Sequence, residues 1–287
     1  MILPLVISAP FGNYVRPPGA TPTLGTFTAE RRPGRVWRIV KTLRYAPSMG
    51  AWVNKIGLRN PGIDWLAERV RTGKEDVSHA IVSIHGFDDD EWYTLIEKAA
   101  ALEPLAIELN VSCPNVGEVS WPSELFERAV GSGVRTIVKI PPVRFRAMVD
   151  AAVGAGVRIL HCCNTIPVPA GGMSGKPLLP VCLDVIASVR ERHEGVEIIG
   201  GGGITRPGDV DLYADAGVRY AAVGTKALDP RLLWTDGPLR AICARAHERL
   251  GGKNSVDDST QSSPDLNVSA SAGCRGHRGR ESRGTIG

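Results

Sequence analysis

Long apolar runs and a strong charge imbalance are both missing from this sequence. None of its 287 residues lies in an uninterrupted apolar stretch approaching the ~20 residues that a membrane-spanning helix needs. The net charge is only +4 and is spread along the chain, without the basic stripe that is typical of nucleic-acid binding. The apolar start of the chain also lacks the charged segment and cleavage site of a signal peptide. We therefore expect neither nucleic-acid nor membrane partners.

Cysteine is scarce as well. The six Cys residues form no CxxC pair and show no Cys/His spacing typical of a zinc site. The composition, with 43% hydrophobic and 22% charged residues, is that of a globular protein with its own core, which excludes a wholly disordered, collagenous or disulfide-stapled chain. We expect reduced thiols, a cytoplasmic location and no structural metal.

Short runs rich in β-branched residues alternate with helix-like segments over most of the chain. Strands separated by helices of roughly 10–15 residues indicate βαβ units and a parallel sheet. Eight such strands are predicted, at 3–10, 20–28, 79–87, 105–112, 135–140, 158–165, 196–201 and 220–225. Eight units close a (β/α)8 TIM barrel, which is the predicted α/β fold. An open doubly wound sheet is the alternative, but no GxGxxG motif follows the first strand.

Two stretches depart from this rhythm. Residues 29–63 are interrupted by Pro and Gly turns, and we predict an insertion there that lies over the C-terminal face of the barrel strands. Beyond Leu250 the chain is rich in Ser and Gly and has almost no large apolar residues, so it cannot bury enough surface to offset the entropy of ordering. The predicted organisation is a barrel at 1–250 and a disordered tail at 251–287.

Polar residues recur where the predicted strands end. A single Asn at such a position is more often a turn former or cap than a ligand. The active site of a (β/α)8 barrel, however, lies at the C-terminal ends of its strands, so several amides at that end favour a binding site. The set consists of Asn54 in the insertion, Asn110 and Asn115 after the fourth strand, and Asn164 with Thr165 after the sixth.

Lys139 interrupts the apolar run TIVKIPP. A buried ammonium group is costly unless it is paired. Two interpretations remain open: Lys139 pairs with a structural carboxylate, for which Glu108 on the neighbouring strand is a candidate, or it faces an anionic ligand or a reduced cofactor.

Glycine-rich segments follow the seventh and eighth strands, GGGGIT at 200–205 and VGTKAL at 223–228. Glycine lets backbone amides approach a phosphate closely, and the loops after these two strands are the usual phosphate site of the barrel. A tight left-handed turn also needs glycine, but four consecutive glycines exceed that need. The sequence therefore predicts a phosphate-binding site.

Cys113 lies on the loop after the fourth strand, between Ser112 and Pro114. Cysteine is more often a small buried hydrophobic residue than a base. On a loop above a cofactor, however, a thiolate can accept a proton, so Cys113 is the candidate base.

Taken together, these motifs resemble the dihydroorotate dehydrogenases in order and spacing. ELNVSCPN is highly specific, whereas the glycine motifs fit many barrels. The similarity covers roughly residues 3–235. The motifs are NKIGLRNPG (54–62), which is similar to the substrate loop of that family, ELNVSCPN (108–115), VKIPP (138–142), NTI (164–166), GGMSG (171–175), IIGGGGI (198–204) and VGT (223–225).

The resemblance implies an FMN-dependent oxidation of dihydroorotate to orotate in pyrimidine biosynthesis. Cys113 would be the catalytic base, as Cys is in the soluble class 1 members, and Lys139 would lie beside the N1/C2 carbonyl edge of the flavin. The implied cofactor contacts are Ala9, Asn110, Lys139, Gly175, Gly202, Gly203, Gly224 and Thr225. The implied substrate contacts are Asn54, Lys55, Asn110, Asn115, Asn164 and Thr165. The soluble relatives suggest a homodimer.

The sequence departs from the family pattern in two places. Leu24 stands where the family has a lysine on the second strand, and the turn after the first strand reads Ser8-Ala9-Pro10. Loss of that lysine weakens recognition of the orotate carboxylate, and Lys55 beside Asn54 is the candidate replacement. Two other functions therefore stay open: an FMN-dependent paralogue that acts on a different cyclic substrate, and a barrel that binds a phosphate ligand without redox chemistry.

Overall fold

Eight parallel strands close into a barrel, in the order Leu5–Ile7, Tyr220–Val223, Glu197–Gly201, Ile159–Cys162, Thr136–Ile140, Ala106–Leu109, Ile81–Ile84 and Ala20–Phe27. The computed structural model describes residues 1–111 and 121–252. The strands in these residues are β1 (Leu5–Ile7), β2 (Ala20–Phe27), β3 (Arg44–Ala46), β4 (Ala51–Asn54), β5 (Ile81–Ile84), β6 (Ala106–Leu109), β7 (Thr136–Ile140), β8 (Ile159–Cys162), β9 (Ile166–Val168), β10 (Gly171–Gly175), β11 (Glu197–Gly201) and β12 (Tyr220–Val223). Each of the eight predicted strands contributes one barrel strand, so the predicted TIM barrel is confirmed.

In the described residues, seven helices pack around the barrel because each buries apolar side chains, whereas an eighth, Arg35–Thr42, lies in the insertion and buries none. The helices of the described residues are α1 (Arg35–Thr42), α2 (Ile63–Arg71), α3 (Asp89–Ala100), α4 (Leu125–Gly131), α5 (Arg146–Gly154), α6 (Leu178–Arg192), α7 (Pro207–Asp215) and α8 (Gly237–Leu250). Leu95, Val149 and Ile186 are among the buried helix residues that join the main apolar cluster. None of these helices is long and apolar enough to span a bilayer.

The barrel interior changes from apolar to polar along the strands. Side chains alternate between the inside and the outside of a barrel, so residues two apart face the same way. A separate apolar cluster, the barrel floor, is formed by Ile2, Val6, Ile81, Ala106, Ile137, Ile159, Ile199, Tyr220 and Ala222. Two residues further along four strands the interior carries the polar layer, which consists of Ser83, Glu108, Lys139 and His161. The polar layer therefore lies between the floor and the C-terminal mouth.

A second, antiparallel sheet has the order β3-β4-β10-β9. Strands β3 and β4 belong to the predicted insertion at 29–63, whereas β9 and β10 follow β8, and the sequence analysis did not identify either as a strand. Asn54 pairs with Gly172 and Ala51 with Gly175. Both contributing segments leave the barrel at C-terminal strand ends, which puts this sheet on the predicted face.

The predicted tail begins where α8 ends, at Leu250. Residues 253–287 lie outside the described residues, so the division into a barrel at 1–250 and a tail at 251–287 stays a prediction.

Candidate active site

A chain of hydrogen bonds crosses the C-terminal mouth of the barrel. The Asn164 side chain donates to Oδ1 of Asn110 at 2.9 Å, and Nδ2 of Asn110 donates to Oγ1 of Thr26 at 2.9 Å. The hydroxyl oxygens of Thr26 and Ser83 are 3.0 Å apart. The structure thus brings together two of the predicted asparagines, and it joins them to Thr26 and Ser83, which the sequence analysis did not single out.

Neighbouring contacts hold the two amides in place. Nδ1 of the buried His85 lies 2.7 Å from the backbone carbonyl oxygen of Asn110, so His85 holds the main chain that carries this amide. The backbone N–H of Thr165 donates to Oδ1 of Asn164 at 2.8 Å, so Thr165 fixes the orientation of that side chain. A register shift in β2 between Leu24 and Phe27 turns Thr26 toward Ser83, because a bulge re-aims the side chain that follows it.

Below these amides, the polar layer holds a buried charge cluster. Glu108 is 0% exposed, His161 1% and Lys139 6%. Oε2 of Glu108 lies 2.6 Å from Nδ1 of His161, and Oε1 lies 3.9 Å from Nζ of Lys139. Glu108 is thus the carboxylate that faces Lys139. His161 was not singled out from the sequence, because a lone histidine in an apolar strand gives no signal of its partner.

Burial and the neighbouring charges determine the protonation states of Glu108 and His161. Burial raises the pKa of Glu108, but the nearby Lys139 and His161 outweigh that effect and lower the pKa to about 2. Burial and the Lys139 charge lower the pKa of His161, against the opposing influence of Glu108. At neutral pH the Glu108 carboxylate is therefore ionised, and a neutral His161 donates its Nδ1–H to it.

The predicted phosphate-site glycines gather beside the first turn of α6. A Cβ at Gly203 would lie 2.9 Å from Cβ of Leu179 and 3.1 Å from the carbonyl oxygen of Gly175. A Cβ at Gly202 would lie 2.7 Å from Sγ of Cys182. Only glycine fits at these two positions, which also have φ values of +77° at Gly203 and +123° at Gly202.

The loops after β1 and β12 lie side by side next to the glycine cradle formed by Gly175, Gly202 and Gly203. The backbone N–H of Ser8 donates to the carbonyl oxygen of Val223, which brings Ala9 toward Gly224 and Thr225. Among the described residues, the N–H groups of Gly202, Gly203 and Gly224 donate to no protein acceptor. Backbone donors of this kind, in glycine loops, fit a phosphate group.

Asn54 and Lys55 do not belong to the hydrogen-bonded series of Asn164, Asn110, Thr26 and Ser83. Asn54 ends β4, and Lys55 is exposed, with its backbone bonded to Thr42 and Arg38. Within the part of the chain that the structure describes, no hydrogen bond links either residue to Asn110. Cys113 and Asn115 lie outside the described residues.

The strand β2 supplies no cation to the mouth. Leu24 is 1% exposed and belongs to the main apolar cluster. Beyond the ends of β2 and β5, however, a cavity of about 210 Å³ is lined by three arginines, Arg31, Arg32 and Arg59, together with Thr28, Glu30, Pro33, Phe87 and Glu91. The guanidinium of Arg32 stacks on the ring of Phe87 at 4.4 Å. This basic rim could not be predicted from the sequence, because Arg59 is distant from Arg31 and Arg32 along the chain.

Comparison with known proteins supports the family resemblance. The family model for dihydroorotate dehydrogenase matches residues 19–126. The catalytic subunit of dihydroorotate dehydrogenase B (NAD(+)) from Geotalea daltonii is 32% identical over 247 residues, which cover 76% of this chain and 78% of the relative. The corresponding subunit from Alkaliphilus oremlandii is 30% identical over 235 residues, covering 72% and 78%. The ligand-free DHODH of Eimeria tenella, a solved structure, has a TM-score of 0.67 at 17% identity, covering 88% of this chain and 85% of that one.

A closed parallel barrel with amides, a buried lysine and glycine loops at its C-terminal mouth defines a (β/α)8-barrel enzyme. The sequence comparisons then narrow the class. The chain belongs to the dihydroorotate dehydrogenase family, and it is an oxidoreductase of that type.

Proposed function

We propose that this protein oxidises dihydroorotate to orotate with a bound FMN, as a step of pyrimidine biosynthesis. The observation that carries the proposal is the hydrogen-bonded pair of amides, Asn110 and Asn164, at the barrel mouth above the buried Lys139. Paired amides offer both donors and acceptors, which match a planar ring that carries N–H and C=O groups.

The residues at the mouth fit FMN. The N–H groups of Gly202, Gly203 and Gly224 would donate to the phosphate, with Ala9, Gly175 and Thr225 beside them. Lys139 would supply the positive charge that favours reduction of the flavin, and Asn110 would hold the flavin ring. When bound, FMN supplies the acceptor for the hydride that leaves C6 of dihydroorotate.

The protein binds the substrate and removes its proton. Asn54, Asn110, Asn115, Asn164 and Thr165 orient the ring, and Lys55 provides a charge for the carboxylate. Cys113 removes the proton from C5, and the electrons of that C–H bond form the C5=C6 double bond as the hydride departs from C6. Orientation by fixed amides turns this reaction into an effectively unimolecular one.

A spectrum of the purified protein tests the proposal. We expect flavin absorption that bleaches when dihydroorotate is added without oxygen. In Cys113→Ala the spectrum remains, and bleaching slows by about 10²–10⁴-fold, the usual contribution of a general base. Cys243→Ala is the matched control, because Cys243 is a buried cysteine on α8 that contacts the carbonyl oxygens of Pro18 and Gly19 just before β2, at the opposite end of the barrel from the mouth. An equal bleaching rate in Cys113→Ala would remove Cys113 as the base.

One observation favours a second candidate function. Leu24 is packed in the core, so β2 offers no cation for the orotate carboxylate. An FMN-dependent enzyme that acts on an uncharged cyclic substrate would need no such cation. Flavin bands that persist with dihydroorotate but bleach with an uncharged dihydropyrimidine would select this alternative. A purified protein that takes up no FMN would instead favour the remaining hypothesis, a phosphate-binding barrel without redox chemistry.

A further inference from the structure

The buried cluster contains one residue that the proposed reaction does not use, His161. Glu108, Lys139 and His161 come from three successive barrel strands, β6, β7 and β8, and Lys139 and His161 are direct register partners. All three point into the barrel between the apolar floor and the mouth. Their position favours a role toward the ligand at the mouth rather than in packing.

The Glu108 carboxylate lies closer to the neutral imidazole of His161 than to the charged ammonium group of Lys139. The carboxylate bonds closely to the neutral imidazole, at 2.6 Å, and stays 3.9 Å from the ammonium. Within the described residues, Oε1 has no hydrogen-bond partner. In a dry interior the attraction of opposite charges is strong, so a carboxylate that could rotate would close onto the ammonium. The bond to His161 fixes Oε2 of the carboxylate and so opposes that rotation.

We propose that His161 is a positioning residue for Lys139, which acts by donating its Nδ1–H to Glu108 and so keeps the carboxylate from closing onto the Lys139 ammonium. The Glu108 carboxylate then cancels less of the positive electrostatic potential that Lys139 produces at the barrel mouth. This inference rests on the proposed function, because it takes the flavin at the mouth as the group that senses this charge. A less neutralised Lys139 favours the reduced, anionic form of the flavin over the oxidised form.

The reduction potential of bound FMN tests the inference in two full-length variants. His161→Asn keeps an N–H donor near the position of Nδ1, whereas His161→Leu removes it. We expect His161→Leu to lower the ratio of reduced to oxidised flavin about tenfold, which is about 30 mV for a two-electron couple. His161→Asn stays close to the wild type. The affinity for oxidised FMN changes little in either variant, whereas a merely structural role would weaken binding in both.

Equal potentials in the wild type and His161→Leu would overturn the proposal. If His161→Leu does not fold, His161→Gln replaces it, because its amide reaches the position of Nε2 rather than Nδ1. We then expect His161→Gln to show the lowered potential and His161→Asn to restore it.

A second measurement does not need the flavin. In ¹⁵N NMR spectra of the flavin-free protein, assigned by comparison with His161→Asn, we expect His161 to be neutral and protonated on Nδ1 at pH 7. An imidazolium or an Nε2–H tautomer would overturn the contact with Glu108. Absence of FMN binding combined with the expected tautomer would overturn the proposed function and the role toward flavin, while leaving the contact itself in place.

Discussion

Glu108 combines an ionised carboxylate with 0% exposure in the barrel interior. Removing one partner from such a cluster leaves an uncompensated buried charge, so the cluster constrains stability as well as chemistry. From the sequence, Glu108 is one candidate partner for Lys139, beside the interpretation that Lys139 faces an anionic ligand or a reduced cofactor. The sequence did not indicate that His161 takes the closer position.

At this scale we predict a dependence of stability on pH. The folded-state pKa of Glu108 is about 2 instead of 4.5, so its contribution is present above pH 4.5 and is lost as the pH falls toward 2. The magnitude is roughly 3 kcal/mol. The pKa of His161 is also lowered on folding, so stability begins to fall below about pH 6.5, where the unfolded histidine takes up a proton.

Urea unfolding at a series of pH values measures this effect. Glu108→Gln is the control, because it removes one titrating group and leaves the other acidic residues unchanged. We expect the free energy of unfolding to fall less steeply between pH 5 and 2 in Glu108→Gln than in the wild type. Parallel curves would contradict the assignment of a lowered pKa to Glu108.

At the scale of single elements, the loop after β11 depends on glycine geometry. Gly203 has φ of +77°, and an added Cβ would lie 2.9 Å from Cβ of Leu179 at the start of α6. We expect Gly203→Ala to shift this loop and weaken FMN binding by about tenfold or more, equivalent to about 1.4 kcal/mol. Fluorescence titration with FMN measures the affinity. Gly208→Ala, where an added Cβ meets nothing within 4 Å, is expected to bind as the wild type does; equal losses in both would refute a specific role for the loop.

The pairing of β4 with β10 holds Asn54 and its neighbour Lys55. A Cβ at Gly171 would lie 2.1 Å from the carbonyl oxygen of Asn54 and 3.2 Å from Cβ of Lys55, so Gly171→Ala separates the two strands. We expect KM for dihydroorotate to rise about tenfold or more, with FMN affinity nearly unchanged, because the lost interaction is with substrate. Steady-state kinetics and FMN titration make the comparison. Gly195→Ala, with open space around the added Cβ, should leave KM unaltered, and an unchanged KM in Gly171→Ala would exclude this sheet from the substrate site.

At the scale of the whole molecule, the described barrel includes α8, which ends at Leu250 and buries Leu239, Ile242 and Ala246. The chain beyond it has a composition that cannot form a core. We therefore expect deletion of 253–287 to change the melting temperature by less than about 2 °C, a shift of at most 1 kcal/mol, and to leave the flavin content unaltered. Thermal unfolding of the full and shortened chains decides this, and a large fall in melting temperature would show that the tail stabilises the barrel.

The eight barrel strands could be predicted because each is a short β-branched run bounded by helical segments, a pattern that is local in sequence. Strands β9 and β10 could not, since they are short, rich in glycine or proline, and pair with β4 from a distant part of the chain.

The barrel, the order of its strands along the chain and the polar character of their ends could be predicted from the sequence, because hydrophobic periodicity and glycine placement are local properties. Which polar groups meet depends on how the strands are aligned in the closed barrel. The hydrogen bonds from Asn164 through Asn110 to Thr26 depend on register and stagger between strands that are far apart in sequence. The same is true of Glu108, whose carboxylate lies closer to His161 than to Lys139. The alternation of side chains along a strand shows which residues face inward. The distances from the Glu108 carboxylate, 2.6 Å to Nδ1 of His161 and 3.9 Å to Nζ of Lys139, are set only when the barrel closes.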